Sequence, residues 1–333
     1  MYTSMSAAPD EAEEPRWNSC SAAATATNPD EAEEPRWNSC SAAATATNDA
    51  TTTLIARAAS NIERAIKQHA LPVSPCAGVA ELQPGVDRHV VQHEAIVAHA
   101  RALDLLSPDF TVVDFGAGSG GLSRAVHAAA GGGACVLIDR KERSGAGGEG
   151  FERLCVDVAS LTADDIVRAT RGGTLTAGGC VVVSNHLCGA ALDVALRRAV
   201  EAWHLPDPAA RRLVGVLAAT CCHDQCTWET YAGRDVFGAW GLGELEFGLA
   251  CRWSRLAPRR GKDDATRERV VQEAARLGVS PADAARFGLR CRQLLDTGRA
   301  LYLQRHGFEV SLANHVPFSV TADNVVIRGC AAS

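Results

Sequence analysis

Short apolar runs alternate with helical stretches along most of this chain, an order that predicts an α/β fold. Five apolar runs predict strands at 111–113, 134–138, 153–158, 180–183 and 213–218. Apolar residues at helical spacing predict helices at 52–70, 89–106, 162–168, 266–277 and 288–303. Two more apolar pieces, 308–312 and 324–327, predict a closing antiparallel pair. The whole pattern predicts a seven-stranded, mostly parallel sheet with helices on its faces.

A glycine-rich turn follows the first of these strands. The strand ends in Asp114, and the turn holds four glycines, among them Gly116 and Gly118, before a helix begins at Leu122. Glycine accepts the positive backbone dihedrals of such a turn and lets a ligand approach the main chain. Strand, turn and helix in this order predict a nucleotide-type ligand site.

The acid before the glycines narrows the class of ligand. A carboxylate at this strand tip suits a cationic ligand that bears an amine, such as S-adenosyl-L-methionine, whereas a dinucleotide would bring an anionic pyrophosphate there. The stretch 111–126 therefore resembles the first motif of the Rossmann-like (class I) S-adenosylmethionine-dependent methyltransferases. We expect Asp114 to contact the methionine end or to order the loop. Gly116 and Gly118 should let the cofactor approach the main chain.

Acids also follow the next two strands. Asp139 comes about twenty residues after the glycines, where sheets of this kind bind ribose hydroxyls. Its alternative is a surface acid paired with Arg140 or Lys141. Asp157, in the third strand, is placed to accept a hydrogen bond from an adenine amino group.

Cysteine and histidine gather after the fourth and fifth strands. Reactive groups collect beyond the carboxyl ends of parallel strands, which predicts a position over the ligand for Asn185, His186 and Cys188. The second cluster consists of Cys221, Cys222, His223 and Cys226. These types suit zinc, but adjacent cysteines are not expected to face one tetrahedral centre, and no second Cys-x-x-Cys pair follows. A substrate-lining loop and core thiols are the favoured alternatives, so no metal is predicted.

Composition and charge indicate how the chain is divided into domains and where in the cell the protein is located. Residues 9–28 recur unchanged at 29–48, and each copy carries a charge of −3, so together they account for the net −6 of the 333-residue chain. We expect a disordered tail over 1–50, a helix and linker over 51–85, and a catalytic domain over 86–330. Thirteen cysteines without a disulfide pattern, and no secretory or membrane-spanning run, predict an intracellular protein of the cytoplasm or nucleus.

Several longer motifs resemble one family in order: GAGSGGLS, VLIDR, NHLCGAALDVALR, ATCCHDQCTWETYAG, GLRCRQLLDTGR and TADNVVIRG. They are similar to those of the eukaryotic tRNA 2′-O-methyltransferases (tRNA ribose methylases) that modify position four of the acceptor stem. The resemblance covers about Asp87 to Arg328, and its HLCGAA and CCHDQCTW segments are not general methyltransferase features. The family usually has Lys where Asn185 stands and a second His where Asp224 stands. The zinc fingers that commonly precede its catalytic domain are not seen in this sequence.

The resemblance implies methyl transfer from S-adenosylmethionine to a ribose 2′-hydroxyl of tRNA, a reaction that needs in-line positioning and a base. We predict that His186 is the base or orients the hydroxyl. Asn185 would hold the ribose or the methionine end, and His223 is the second candidate base.

Three arginines of the last predicted helix are candidates for gripping tRNA phosphates: Arg290, Arg292 and Arg299. Their alternative is a solvated helix face. The expected partner is tRNA, with no membrane and no DNA. Two other functions stay open, namely a methyltransferase for another RNA or a protein, and a catalytically silent RNA-binding paralogue. An NAD-dependent oxidoreductase is disfavoured, because Asp114 is poorly placed for a pyrophosphate.

Overall fold

The computed structural model describes residues 49–76, 85–143, 148–162, 164–166, 179–204, 213–258 and 264–332. Within them, the strands are β1 Val73–Ser74, β2 Phe110–Phe115, β3 Cys135–Asp139, β4 Phe151–Cys155, β5 Gly179–Asn185, β6 Leu213–Ala219, β7 Phe308–Asn314 and β8 Val325–Ala331. The helices are α1 Asp49–His69, α2 Arg88–Ala102, α3 Gly121–Ala130, α4 Ala190–Trp203, α5 Arg234–Ala239, α6 Glu244–Trp253, α7 Asp264–Leu277 and α8 Pro281–Arg305. The duplicated segment of the predicted tail lies outside the described residues.

These strands form one sheet in the order β1-β7-β8-β6-β5-β2-β3-β4. Strands β6, β5, β2, β3 and β4 are parallel, whereas β8 runs antiparallel to both of its neighbours. The chain moves outward from β2 to β3 and β4, and then returns to β5 on the other side of β2. The predicted mostly parallel sheet and its closing antiparallel pair are thus confirmed. The resulting switch point between β2 and β5 is where open α/β sheets bind ligands.

The sheet differs from the predicted one in two details. It has eight strands and not seven, because Val73–Ser74 pairs with β7 through the register Val73 to Leu312. Two residues are too short a stretch to show a hydrophobic period. In addition, β4 ends at Cys155, so Asp157 lies on the following loop and not in the strand.

Both faces of the sheet are buried, as expected for parallel strands that read as continuous apolar runs. Alternate residues of β2 point to opposite faces. Val113 and Phe115 pack in the cluster that contains α4 and α8, whereas Val112 packs in the cluster that contains α2 and α3. A third cluster joins α1 and α6 to α8. None of the described helices combines the length and apolar character needed to cross a membrane.

Helix α8 carries a buried ionic network. Arg299 is 0% exposed and donates to both carboxylate oxygens of Asp193, over 2.9 and 2.8 Å, and to Asp296 over 3.0 Å. Asp296 also accepts from the hydroxyl of Thr220 at 2.9 Å and lies 2.9 Å from Nε2 of His223. The network therefore fixes α8 to α4 and to the loop that follows β6.

The prediction that Arg292 and Arg299 grip tRNA phosphates is wrong, because both side chains are buried. Arg292 is 6% exposed and donates to the carboxylate of Asp323 at 3.0 Å. Residues seven apart share a helix face, and here that face also contains the buried Leu303. The spacing alone could not distinguish this face from a solvated one. Arg290 is half-buried, and its contact with phosphate stays a prediction.

Replacing Arg299 by Met should destabilise the fold strongly. The carboxylates of Asp193 and Asp296 would stay buried without their cation, which typically lowers the free energy of unfolding by about 3–5 kcal/mol. Denaturant unfolding measures this change. The matched variant Arg305→Met, at an exposed position of the same helix, should stay within about 0.5 kcal/mol of wild type. Equal stability of the two variants would contradict the role given to the network.

Candidate functional site

A cavity of about 400 Å³ opens beyond the carboxyl ends of the parallel strands. Its wall includes residues from the segments after β2, β3, β4, β5 and β6, among them Gly116, Asp139, Asp157, His186, Cys188 and Gln225. A volume of several hundred Å³ is typical of small-molecule sites. The predicted crevice at the strand tips therefore exists, and five separate segments contribute to it.

Gly116 and Gly118 supply space, while their own N–H groups already have acceptors within the protein. Gly116 and Gly118 have φ angles of 74° and 53°, in the left-handed region that favours glycine. A Cβ on Gly116 would lie 3.0 Å from Cδ1 of Leu187. The N–H of Gly116 donates to the carbonyl of Ile138 at 2.8 Å, and that of Gly118 donates to Asp139 at 2.9 Å. Gly116 lines the cavity, whereas Gly118 is not among the described residues of its wall.

Asp139 both orders the turn and faces the cavity. Its two oxygens each accept one main-chain N–H over 2.9 Å, from Gly118 and from Lys141. An ionised carboxylate offers about four acceptor positions, so capacity is left for ligand hydroxyls. Asp139 therefore has the position and the acceptor capacity expected of an acid that binds ribose hydroxyls. That role stays a prediction.

Asp157 stands in the wall between two valines. Its Oδ1 accepts from the main-chain N–H of Ala159 at 2.9 Å, and Val156 and Val158 line the same cavity. An acceptor flanked by apolar side chains suits a flat base with an amino edge. Its predicted contact with adenine stays a prediction.

Asp114 is placed differently from the other two acids. It is 1% exposed, and its carboxyl accepts from the hydroxyl of Ser123 in α3 at 2.6 Å. Burial raises its pKa from 3.8 to about 7. Asp114 is not among the described residues of the cavity wall. Of its two predicted roles, the geometry fits the ordering of the loop, because the bond to Ser123 joins the ends of the glycine turn.

His186 is the imidazole in the wall. It follows β5 with a φ angle of 61°, and its main-chain N–H donates to the carbonyl of Ala219 in β6 at 3.2 Å. A non-glycine residue rarely adopts this conformation, and His186 is one of the residues that line the cavity. Burial lowers the pKa of His186, so its ring is neutral near pH 7 and can accept a proton.

Asn185 and His223, the two other predicted catalytic residues, are not among the described residues of the wall. Nδ2 of Asn185 donates to Gln92 at 3.3 Å, and its Oδ1 is buried without a hydrogen-bond partner. Its contact with substrate stays a prediction. His223 is 3% exposed, and its Nε2 lies 2.9 Å from Asp296. This position gives no support to His223 as a base, because a base must reach the proton that it abstracts, and the role stays a prediction.

Three of the cysteines lie close together. The sulfur atoms of Cys188, Cys221 and Cys222 lie within 4.8 Å of one another. Adjacent cysteines are not expected to face one tetrahedral centre, yet the sulfurs of Cys221 and Cys222 belong to the same group; Cys222 has a φ angle of 48°. Cys226 lies apart from this group, with its sulfur 2.9 Å from Nη2 of Arg299.

Three contributors were not indicated by the sequence patterns. Gln225 lines the cavity, Gln92 of α2 holds Asn185, and Arg153 donates to the carbonyl of Gly118 at 2.6 Å. Gln225 lies inside the CCHDQC cluster, which is a usable signal. Gln92 and Arg153 carry no signal, because tertiary packing alone brings them to the strand tips.

The strand order, the switch point, the glycine turn and the acids at successive strand tips define the fold of the class I methyltransferases. Residues 91–329 match the family model described as Methyltransferase TRM13. The match covers more than half of the chain, and the chain belongs to this family. The predicted family is thereby confirmed.

Similar proteins agree with this family. The chain is 29% identical over 309 residues to the mouse "tRNA:m(4)X modification enzyme TRM13 homolog", with 72% of this chain and 63% of that protein covered. The human homologue is 27% identical over 312 residues, with 72% and 64% covered. The chain thus spans less than two thirds of these relatives. Solved human N-acetylserotonin methyltransferase is 10% identical with a TM-score of 0.31, covering 84% of this chain and 68% of that one. Because this identity and this TM-score are low, the assignment of the fold depends on the strand order and not on this likeness.

Replacing Asp114 by Asn should remove one component of the pH dependence of stability. The folded protein holds a proton on this carboxyl that the unfolded chain has lost, so the contribution of Asp114 to the free energy of unfolding should fall as the pH rises from about 4 to about 7, by at most about 1.4 kcal/mol per pH unit. The amide has no proton to lose and can still accept from Ser123. Denaturant unfolding at several pH values measures the difference, and parallel curves for the two proteins would refute the raised pKa.

Proposed function

We propose that this protein transfers the methyl group of S-adenosylmethionine to a ribose 2′-hydroxyl of tRNA, at position four of the acceptor stem. The observation that carries the proposal is the shared cavity of Asp139, Asp157 and His186 at the sheet's switch point. The names of the mouse and human relatives, tRNA:m(4)X modification enzymes, support the choice of substrate.

The residues in the wall fit the cofactor. Gly116 leaves room for the cofactor in the cavity. A Cβ at this position would lie 3.0 Å from Leu187 and would narrow that space. Asp139 retains acceptor positions for ribose hydroxyls, and Asp157 with its flanking valines suits the adenine. When bound, S-adenosylmethionine supplies a methyl group that the positive sulfonium has already activated.

The protein must therefore position the acceptor and remove one proton. A ribose hydroxyl is a weak nucleophile until its proton is being lost. His186 stands in the wall, and its neutral ring would accept the proton that the ribose hydroxyl loses. Holding both reactants in line supplies the rest of the rate enhancement.

The function is tested on purified full-length chain with S-adenosylmethionine and tRNA transcripts. Mass spectrometry of the digested RNA should find one 2′-O-methylated nucleoside, and fragment mapping should place it at position four. A matched transcript with a 2′-deoxynucleotide at that position should remain unmethylated. Methylation of the deoxy transcript, or of a base, would overturn the assigned acceptor.

Asp139→Ala should weaken cofactor binding. Loss of a charged hydrogen-bond acceptor for the ribose should raise the dissociation constant about tenfold to a hundredfold. Isothermal titration calorimetry with S-adenosylmethionine measures it. Glu152→Ala removes an exposed acid from the neighbouring strand and should bind as wild type does. Unchanged affinity in Asp139→Ala would exclude the ribose-binding role.

His186→Ala should reduce kcat about a hundredfold or more, since general-base catalysis contributes about that much. Single-turnover methylation with saturating cofactor and tRNA measures the chemical step. His204→Ala is the matched control, because this exposed histidine lies at the far end of α4, about 20 Å along the helix from the cavity. Wild-type turnover in His186→Ala would remove this residue from the mechanism.

A second candidate is an RNA-binding protein without catalysis. This second candidate is favoured by Asn185, which lies at the carboxyl end of β5 but whose side-chain amide donates a hydrogen bond to Gln92. The methylation assay together with filter binding separates the two candidates. A protein that only binds RNA would retain tRNA on a filter but leave every nucleoside unmethylated.

A further inference from the structure

Three thiols from two different loops meet at the edge of the cavity. Cys188 follows β5, whereas Cys221 and Cys222 follow β6, and these strands are parallel neighbours. The sulfur atoms of Cys188 and Cys221 are 3.6 Å apart, and all three sulfurs lie within 4.8 Å of one another. Neither the family match nor the proposed chemistry assigns a role to this group.

The distance between two of these sulfurs, which also suits a thiol hydrogen bond, fits two ligands on one metal ion. Zinc binds thiolates at about 2.3 Å in tetrahedral geometry, so two sulfurs on the same ion stand about 3.8 Å apart. The observed 3.6 Å between Cys188 and Cys221 is close to this value. A disulfide, by contrast, would need the two sulfurs to approach to about 2.05 Å.

The backbone is shaped to bring the two loops together. Gly189, next to Cys188, has a φ angle of 51°, and a Cβ there would lie 2.7 Å from the main chain of Gln225. Only glycine allows this approach. Cys222 takes a φ angle of 48°, which is unfavourable for a residue with a side chain and tends to occur at functional sites. Both departures lie in the two loops that carry the three sulfurs.

Metal binding changes the protonation of these side chains. The thiolate is the form of cysteine that binds metals. When an ion binds, the three thiols would therefore lose their protons to solvent.

We propose that Cys188, Cys221 and Cys222 bind a zinc ion through three thiolates at the cavity edge. The three sulfurs are the groups of metal-ligand type that converge there among the described residues. Cys188 is exposed and lines the cavity, so water or a ligand atom from the cavity takes the fourth position. The ion links the loop that carries His186 to the loop after β6, and the earlier prediction of no metal is replaced.

Metal content tests this site directly. The full-length chain, purified with a thiol-sparing reductant and dialysed, should retain about one zinc per chain by plasma mass spectrometry. The variants Cys188→Ser and Cys222→Ser should retain close to none. Cys155→Ser, which changes another exposed cysteine, should retain the wild-type amount. Circular dichroism confirms that the variants are folded, and Cys188→Ser alters only an exposed position.

Cobalt provides a second measurement. Wild-type protein stripped of zinc and refilled with cobalt(II) should show thiolate charge-transfer absorption and the strong visible bands of a tetrahedral site, and Cys188→Ser should lose both. The proposal is overturned if wild-type protein takes up neither metal, or if zinc content is the same in Cys188→Ser. It is equally overturned if the protein as purified with reductant contains no zinc and peptide mapping finds a Cys188–Cys221 disulfide in it.

Discussion

The arrangement of the site depends on a guanidinium that has no access to water. Arg299 lies in the interior, where an unpaired charge costs several kcal/mol. Two buried carboxylates, Asp193 and Asp296, surround it and belong to two different helices. Because none of these groups can move away without leaving another uncompensated, α8 and α4 are held in one relative position. Asp296 extends this constraint to Thr220 and His223, and so to the loop after β6.

The three acids at or just beyond the ends of successive strands show how the local environment gives the same type of residue different roles. Asp114 is buried and bonded to Ser123, which raises its pKa and makes it a structural tie. Asp139 accepts hydrogen bonds from two main-chain N–H groups and also lines the cavity, so it can order the turn and bind a ligand at the same time. Asp157, on a loop, has one main-chain partner and a place in the wall. Burial and available lone pairs, not sequence position, separate these roles.

Backbone strain is concentrated where the chemistry is expected. Of the non-glycine residues with positive φ in the described part of the chain, His186 and Cys222 both follow central parallel strands, and Asp104 is the other one. Such conformations cost about 1–3 kcal/mol each and persist when the surroundings enforce them. Here the main-chain bond from His186 to Ala219 provides part of that enforcement. The two strained residues thus lie at or beside the crevice, His186 in its wall and Cys222 next to Cys188, which also lines it.

Hydrophobic periodicity and turn chemistry by themselves determined the α/β class, the central strands, the glycine turn and the crevice at the strand tips. These are local properties, since apolar runs, glycines and a strand-end acid act within a few residues of chain. The sequence could not show that Arg292 and Arg299 are buried, because a helix face with regular arginines looks the same whether it meets water or carboxylates. It could not show that Cys188 joins Cys221 and Cys222, or that Gln92 reaches Asn185, because those contacts join residues far apart in the chain. Only the tertiary structure decided them, through the packing of α8 and the pairing of β5 with β6.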